Sequence, residues 1–214
     1  MTEVELLVDS VYATLLDRIV DGRLAPGSAL SVPALALELG VSRSPVRESV
    51  QRLVAEGVAV TVAHTGARVA TVSLADLDEV LRVREVLDGL AAAEATAVVD
   101  ADGLTRLEEL LDAGERAVRG PVDPAGDAAL DLRFHALLRE LSGNATLAET
   151  LRRLEVRAHL FGAGLWADQR HRELAVAEHR GIVAAVAAGD VAAARARAGA
   201  HVAALAVRMR RAAR

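Results

Sequence analysis

The chain has 214 residues, a formal net charge of −5 and only 2% aromatic residues. That length fits two domains of ordinary size, and an alanine-rich, aromatic-poor composition favours closely packed helices over a β-sandwich. The chain contains no cysteine, which excludes disulfides and cysteine zinc sites. No basic-then-apolar leader opens it, and the apolar run at 182–188 is far shorter than the roughly 20 residues that span a bilayer. We therefore expect a soluble, cytoplasmic protein with no membrane partner.

The net charge argues mildly against nucleic-acid binding, because phosphates are usually neutralised by surplus positive charge. Residues 41–70 differ from the rest of the chain, since four arginines outnumber two glutamates there. Any binding of nucleic acid is expected to be local, modest and sensitive to salt.

The stretch 35–57 has the pattern of a helix-turn-helix. Val46, Val50 and Leu53 fall at i, i+4 and i+7, on one helical face that can pack inward. A neighbouring stripe carries groups suited to phosphates and base edges: Arg43, Arg47 and Gln51. The preceding helix supplies its own apolar face and a glycine turn: Leu35, Ala36, Leu39 and Gly40. One face of the second helix therefore holds it to the domain while the other is available to DNA.

Local signals mark the ends of this second helix and a change of period after it. Ser44 and Pro45 are typical of an N-cap followed by proline in the first turn, and Gly57 of a helix end. Beyond it, two β-branched runs at 58–62 and 68–72 flank a glycine turn and predict a β-hairpin wing. The wing tip can touch DNA, and His64 is a candidate phosphate contact there.

The segment from about Tyr12 to Val72 resembles the winged helix of the GntR family of bacterial transcription regulators. The likeness is carried by the run Asp-Gly-Arg-Leu-Ala-Pro-Gly at 21–27 and the run Val-Ser-Arg-Ser-Pro-Val-Arg-Glu at 41–48. The resemblance implies a double-stranded, palindromic DNA operator as partner. It also implies that Arg43 and Arg47 are the main DNA contacts, with Arg52 and the turn around Gly66 secondary.

From Ser73 onward, helical periodicity replaces the glycine and proline of the first third. Ser73 to Asp76 has the form of a capping box that opens a long helix. Breaks rich in glycine, proline and asparagine divide the rest, so the predicted helices are 73–99, 103–118, 127–141, 145–161, 169–188 and 191–210. The predicted fold is mostly α: a winged helix-turn-helix over residues 1–72, then an all-α six-helix bundle over residues 73–214.

The bundle sequence holds one unusual constellation of donor groups. Asp131 and His135 are separated by four residues and project from the same helix face. His179 and His201 each lie on an otherwise apolar stripe that points to the interior. Singly, each is typical of an ordinary core or surface residue, but three imidazoles and a carboxylate facing inward form a reasonable divalent-metal set.

This order of residues resembles the FCD ligand-binding domain that accompanies GntR winged helices. The matching features are Asp-x-x-x-His at 131–135, Glu-His-Arg-Gly-Ile at 178–182, the Gly-Asp break at 189–190 and His201. The resemblance implies Asp131, His135, His179 and His201 as metal ligands, with zinc and nickel both plausible. Arg84 would then pair with a small organic acid effector, although it could instead be a solvated residue paired with Glu85 or Asp88.

The helix count favours the shorter, VanR-like branch of such domains. Three histidines have no comparable partners in the pattern: His64, His159 and His171. Trp166 could cap a cavity or simply bury a large ring at a helix end. The leading hypothesis is a homodimeric, ligand-responsive transcription regulator, most often a repressor in such families. The long helix from Ser73 would supply dimer contacts. Two alternatives stay open, a metal-sensing regulator and a metal-dependent hydrolase.

Overall fold

The computed structural model describes residues 3–63 and 65–212, with side chains for all of these except residues 3–5 and 161–163. The chain divides into two compact units, Met1–Val72 and Ser73–Arg214. No helix in the described part is both long and apolar enough to cross a membrane. The elements of the first unit are α1 (Glu3–Val20), β1 (Ala29–Leu30), α2 (Val32–Leu39), α3 (Arg43–Ala55), β2 (Ala59–Val62) and β3 (Gly66–Val69).

The first unit is a winged helix-turn-helix. Helix α2 ends at Gly40, whose φ of 67° is the left-handed conformation that glycine adopts without strain, and α3 follows after two residues. The predicted inward face is buried, with Val46 and Leu53 fully excluded from solvent. Helix α3 thereby packs on α1 and α2 while its opposite face stays open.

The wing is a three-stranded antiparallel sheet in the order β1-β3-β2. Ala59 pairs with Val69 and Val62 with Gly66, so the predicted hairpin has its turn at the expected place. Strand β1 adds Ala29 opposite Arg68. This strand has only two residues, too few to show a period of two, and the sequence pattern did not reveal it.

One predicted helix end is wrong. Helix α3 begins at Arg43 with Ser42 as its N-cap, so Ser44 lies inside the first turn. The Ser44 hydroxyl donates to Glu48 Oε1 at 3.3 Å instead of capping the helix. Both serines precede Pro45 closely, and proline fits any of the first helical positions, so the sequence did not distinguish them.

The second unit is an all-helical bundle. Its elements are α4 (Leu74–Val98), α5 (Ala101–Arg119), α6 (Pro124–Leu141), α7 (Ala145–Gly162), a 3₁₀ helix (Ala163–Ala167), α8 (Gln169–Ala187) and α9 (Val191–Ala212). The Ser73 side chain accepts a hydrogen bond from the Asp76 N–H, and the Asp76 carboxylate accepts one from the Ser73 N–H, as predicted for a capping box. The six predicted helices are all present, with ends within three residues of the prediction.

The bundle core is built from small and branched residues, as the composition predicts. Leu107, Ile182 and Ala194 are fully buried in one cluster that includes Phe134. Helices α4 and α9 approach closely where glycines face backbone: a Cβ at Gly89 would lie 3.0 Å from the Arg195 carbonyl oxygen. Phe134 belongs to this core and also contacts the buried polar residues beside it.

Candidate nucleic-acid interface and metal centre

The exposed face of α3 carries two arginines whose charge is not neutralised. Arg43 and Arg47 are exposed, and within residues 3–63 and 65–212 neither forms an ion pair or a side-chain hydrogen bond. Gln51 is exposed on the same face, one turn beyond Arg47. Two guanidinium groups and an amide in a row at the start of a helix suit contacts with phosphates and base edges.

Arg52 has a different environment from the other two arginines. Its NH1 donates to Asp9 at 2.8 Å and its Nε to Glu56 at 3.2 Å, and its guanidinium lies 4.0 Å from the Tyr12 ring centroid. Burial lowers the pKa of Arg52, but the bonds to Glu56 and Asp9 outweigh it and raise that pKa above its ordinary value. The group ties α3 to α1.

At the wing, Gly66 is exposed with a φ of 93°. Arg68 is exposed and its NH1 donates to the Gly27 carbonyl at 3.0 Å. His64, the predicted phosphate contact, lies outside the described residues.

Four side chains predicted from the sequence meet inside the bundle. The candidate ligand atoms of Asp131, His135, His179 and His201 all lie within 4.8 Å of one another. Oxygen and imidazole ligands bind zinc at about 2.0–2.2 Å, so two donors on opposite sides of an ion are separated by about 4.2 Å. The observed spread is close to that limit, and small side-chain rotations would complete the set.

The rings of His135 and His179 are kept in the neutral form that binds metal. Burial lowers the pKa of His135 and of His179 well below the ordinary value, with further lowering from His201. His179 Nε2 is buried without a hydrogen-bond partner among the described residues and lies 3.4 Å from Asp131 Oδ1. A neutral imidazole with an unused nitrogen beside a carboxylate fits a divalent cation.

Glu178 fixes the orientation of His201, a role that sequence reasoning missed. Glu178 Oε2 lies 2.8 Å from His201 Nδ1, and Arg208 donates two hydrogen bonds to the same carboxylate at 2.6 and 2.8 Å. Burial alone would raise the pKa of Glu178, but the hydrogen bonds from His201 and Arg208 lower it to about 2. An ionised carboxylate only accepts, so His201 donates through Nδ1, and Nε2 is the ring nitrogen not engaged by Glu178.

Phe134 supports a second ring of the cluster. Its ring stacks on His179 with centroids 4.1 Å apart and planes inclined by 18°. In the sequence, Glu178 belonged to the Glu-His-Arg-Gly-Ile run and Phe134 was the neighbour of His135, but no role was assigned to either residue.

Arg84 is buried beside the cluster, with 2% of its surface exposed, so it is not a solvated helix residue. Its Nε donates to Asp88 at 3.0 Å, and its NH2 lies 3.6 Å from Glu155 Oε1. Glu155 Oε2 in turn accepts from Arg139 at 2.8 Å. The sequence suggested Asp88 as a partner; Glu155 and Arg139 join the network from other helices.

Two histidines that looked unpartnered in the sequence reach the same region. His159 Nε2 lies 3.7 Å from Asp131 Oδ2. His171 packs edge-on against Trp166 with centroids 4.8 Å apart, and burial lowers its pKa to about 4. Both line a cavity together with Arg84, Asp131 and His201.

A winged helix joined in one chain to a bundle with a buried Asp/His cluster defines a DNA-binding transcription regulator. Two family models match the chain: "Bacterial regulatory proteins, gntR family" over residues 7–69 and "FCD domain" over residues 79–204. The chain therefore belongs to the GntR family of bacterial regulatory proteins and carries an FCD domain.

Related proteins agree with this assignment. An uncharacterized HTH-type transcriptional regulator in an unstable DNA locus of Streptomyces ambofaciens is 35% identical over 85% of this chain and 75% of its own. A probable D-xylose utilization operon transcriptional repressor of Paenarthrobacter nicotinovorans is 30% identical over 80% of this chain and 75% of its own. The structure of E. coli McbR/YncC shares the fold, with a TM-score of 0.89 at 24% identity over 100% of both chains. Domains and relatives alike are those of regulators, not of enzymes.

Proposed function

We propose that the protein is a homodimeric repressor that binds a palindromic operator and releases it when a small carboxylic acid binds at a metal site in the bundle. The proposal rests on one observation, a buried cluster that lies beside Arg84 and consists of Asp131, His135, His179 and His201.

The donor set supports zinc or nickel as the resident ion. All four candidate ligands are nitrogen or oxygen donors, and no thiolate is present to favour softer ions. Four protein ligands leave open positions in an octahedral shell, and a bound divalent ion would supply these to a chelating carboxylate. Arg84 would hold the same carboxylate through charge-assisted hydrogen bonds.

The DNA contacts proposed on α3 are Arg43, Arg47 and Gln51, with Ser44 near the helix start and the wing turn at Gly66 as further contacts. Support comes from the exposure of all five residues and from the two uncompensated guanidinium groups. For Arg52 we propose a positioning role through α1, because its Nε and NH1 already donate to Glu56 and Asp9.

The dimer is proposed to form through α4, whose Val83 and Val86 are large apolar residues exposed by 49% and 67%. The six α-helices in the described part of the bundle support the shorter, VanR-like branch of FCD domains. The direction of regulation rests on the Paenarthrobacter relative, which is named a repressor.

The test measures operator affinity by fluorescence anisotropy at fixed salt, with a DNA fragment isolated by selection from a random library. The full chain is compared as apoprotein, with zinc or nickel alone, and with metal plus a panel of carboxylic acids. We expect acids to weaken DNA binding only when metal is present, because an effector shifts an equilibrium only through differential affinity.

Two results would decide against this proposal. If metal alone produces the full response, the protein is a metal sensor. If untagged protein purified without chelators carries far less than one ion per chain and takes up none, the ligand set is wrong. His201→Ala is the matched variant, expected to lose most metal while keeping operator binding.

A further inference from the structure

The cavity beside the candidate metal centre is lined by both charged and apolar side chains. Its polar wall holds Arg84, Asp131, His159, His171 and His201, and most of the remaining lining is apolar: Ala158, Leu165, Trp166, Leu205 and Met209. A ligand in this space meets both charged groups and hydrocarbon.

Arg84 has unused donors toward this space. Its one hydrogen bond within the described part of the chain runs from Nε to Asp88, while NH2 stays 3.6 Å from the nearest oxygen of Glu155. Glu155 Oε1 is itself buried without a hydrogen-bond partner among the described residues. The terminal NH groups of Arg84 can therefore donate to one incoming carboxylate without breaking an existing hydrogen bond.

The fixed charges around the cavity leave room for a single anion. Arg84 and Arg139 are matched by Asp88 and Glu155, and Arg208 is matched by Glu178. Asp131 adds one negative charge, so a divalent ion on the four ligands leaves an excess of one positive charge. One carboxylate neutralises that excess, whereas a second would bring an unpaired charge into a buried space.

Arg84 is the only guanidinium among the described residues that line this cavity. Arg172 lines the neighbouring cavity instead. Its Nε donates to Asp127 at 2.6 Å, its NH1 to Gln169 at 2.5 Å and its NH2 to the Ala117 carbonyl at 2.7 Å. Its charge and its donors are already matched.

The apolar part of the lining cannot satisfy a ligand with many hydroxyl groups. Leu165, Leu205 and Met209 offer no hydrogen bond, and a buried hydroxyl without a partner loses its hydration. The unused ring nitrogens of His159 and His171 serve at most one or two polar atoms. The wall therefore favours an apolar body over a sugar acid.

We propose that the effector is a monocarboxylate with an apolar chain or ring, and that dicarboxylates and polyhydroxy acids are excluded. This inference rests on the proposed metal-dependent function and names the chemical class of its ligand. The carboxylate lies between Arg84 and the metal ligands, and the apolar body lies against Leu165, Trp166, Leu205 and Met209.

The test uses the full chain loaded with Zn²⁺ and four probes: hexanoate, benzoate, adipate and gluconate. Three of these have six carbons and differ only in a second carboxylate or in hydroxyl groups. Isothermal titration calorimetry is expected to show that hexanoate or benzoate binds at least tenfold more tightly than adipate and gluconate. Equal or tighter binding of adipate or gluconate overturns the inference, and so does the failure of all four probes to bind.

A variant pair tests the apolar wall itself. Leu205→Gln places an amide in the cavity and is expected to weaken hexanoate binding at least tenfold with one zinc per chain retained. Val207→Gln, on the exposed side of the same helix, is the control expected to bind like the wild type. Unchanged hexanoate affinity in Leu205→Gln overturns the assignment of the wall.

Metal analysis distinguishes failure of the proposed metal site from failure of the proposed ligand class. Failure to load one zinc per chain overturns the proposed metal site and this inference with it. Loading without selectivity among the acids overturns this inference alone and leaves the metal site standing.

Discussion

At the scale of single residues, the buried charges of the bundle have separate tasks. Glu178 and Arg208 hold the ring of His201, whereas Asp88 and Glu155 neutralise Arg84. Removing one member of a buried pair leaves the other uncompensated, so isosteric changes are more informative than truncations.

Glu178→Gln is expected to lower metal affinity by about 10–100-fold, a typical effect of losing a residue that orients a ligand. The amide keeps the shape but cannot serve as an anionic acceptor for His201 Nδ1. Metal affinity is measured by competition with a chromophoric chelator. Glu173→Gln on the exposed face of the same helix is the matched control. Equal affinity of both variants would show that Glu178 supports the fold and not the metal.

Alanine substitutions of two arginines on α3 are expected to give defects in different assays. Arg47→Ala removes a free guanidinium, so operator affinity falls by about 1–3 kcal/mol while the melting temperature is unchanged. Arg52→Ala loses a contact with Tyr12 and two partly exposed ion pairs, so stability falls by about 1 kcal/mol. Anisotropy titration and thermal unfolding of both variants check this. A reversed pattern would assign DNA contact to Arg52.

At the scale of secondary-structure elements, the sequence predicted the features that depend on apolar periodicity and on helix caps. The apolar spacing of Val46, Val50 and Leu53 predicted the inward face of α3, and the four-residue spacing of Asp131 and His135 predicted their common direction. Glu155 and Arg139 could not be predicted, because charged residues on a helix usually face solvent and only the packing of α6 on α7 buries these two together.

The packing of the helices predicts opposite effects on stability when two glycines are changed to alanine. A Cβ at Gly89 would lie 3.0 Å from the backbone oxygen of Arg195, so Gly89→Ala forces α4 away from α9 and costs about 1–3 kcal/mol. Gly114 in α5 meets only the Val176 side chain at 3.4 Å, and alanine there gains about 0.5–1 kcal/mol of helix propensity. Urea unfolding is expected to show a lower free energy of unfolding for Gly89→Ala and a higher one for Gly114→Ala. Two losses of similar size would contradict the close α4–α9 approach.

At the scale of the whole molecule, two units divide the chemistry of the chain. The winged helix carries its free positive charge on α3 although the chain as a whole is at −5. The bundle instead buries its charges in matched pairs around neutral imidazoles. Long-range attraction to DNA is therefore weak, and affinity should depend on local contacts and on salt concentration.

Buried neutral histidines also make the stability of the molecule depend on pH. Burial lowers the pKa of His171 to about 4 in the folded protein, against the ordinary value of 6.5. Above 6.5 both states hold this ring neutral, and its contribution to stability is fully present. As the pH falls from 6.5 toward 4, the unfolded chain takes up a proton that the folded protein does not, so the free energy of unfolding decreases.

His171→Phe removes this proton uptake while keeping a ring edge-on against Trp166. We expect the apoprotein of this variant to lose less stability than the wild type between pH 7.5 and pH 5, because one titrating group has been deleted from the unfolded state. Urea unfolding of both proteins in a chelator, followed by the fluorescence of the single tryptophan, measures the bundle directly. His171 is not one of the four candidate ligands, so both proteins should bind the same amount of metal at pH 7.5. Parallel losses of stability over this range would mean that His171 takes up its proton at the same pH in the folded and the unfolded protein.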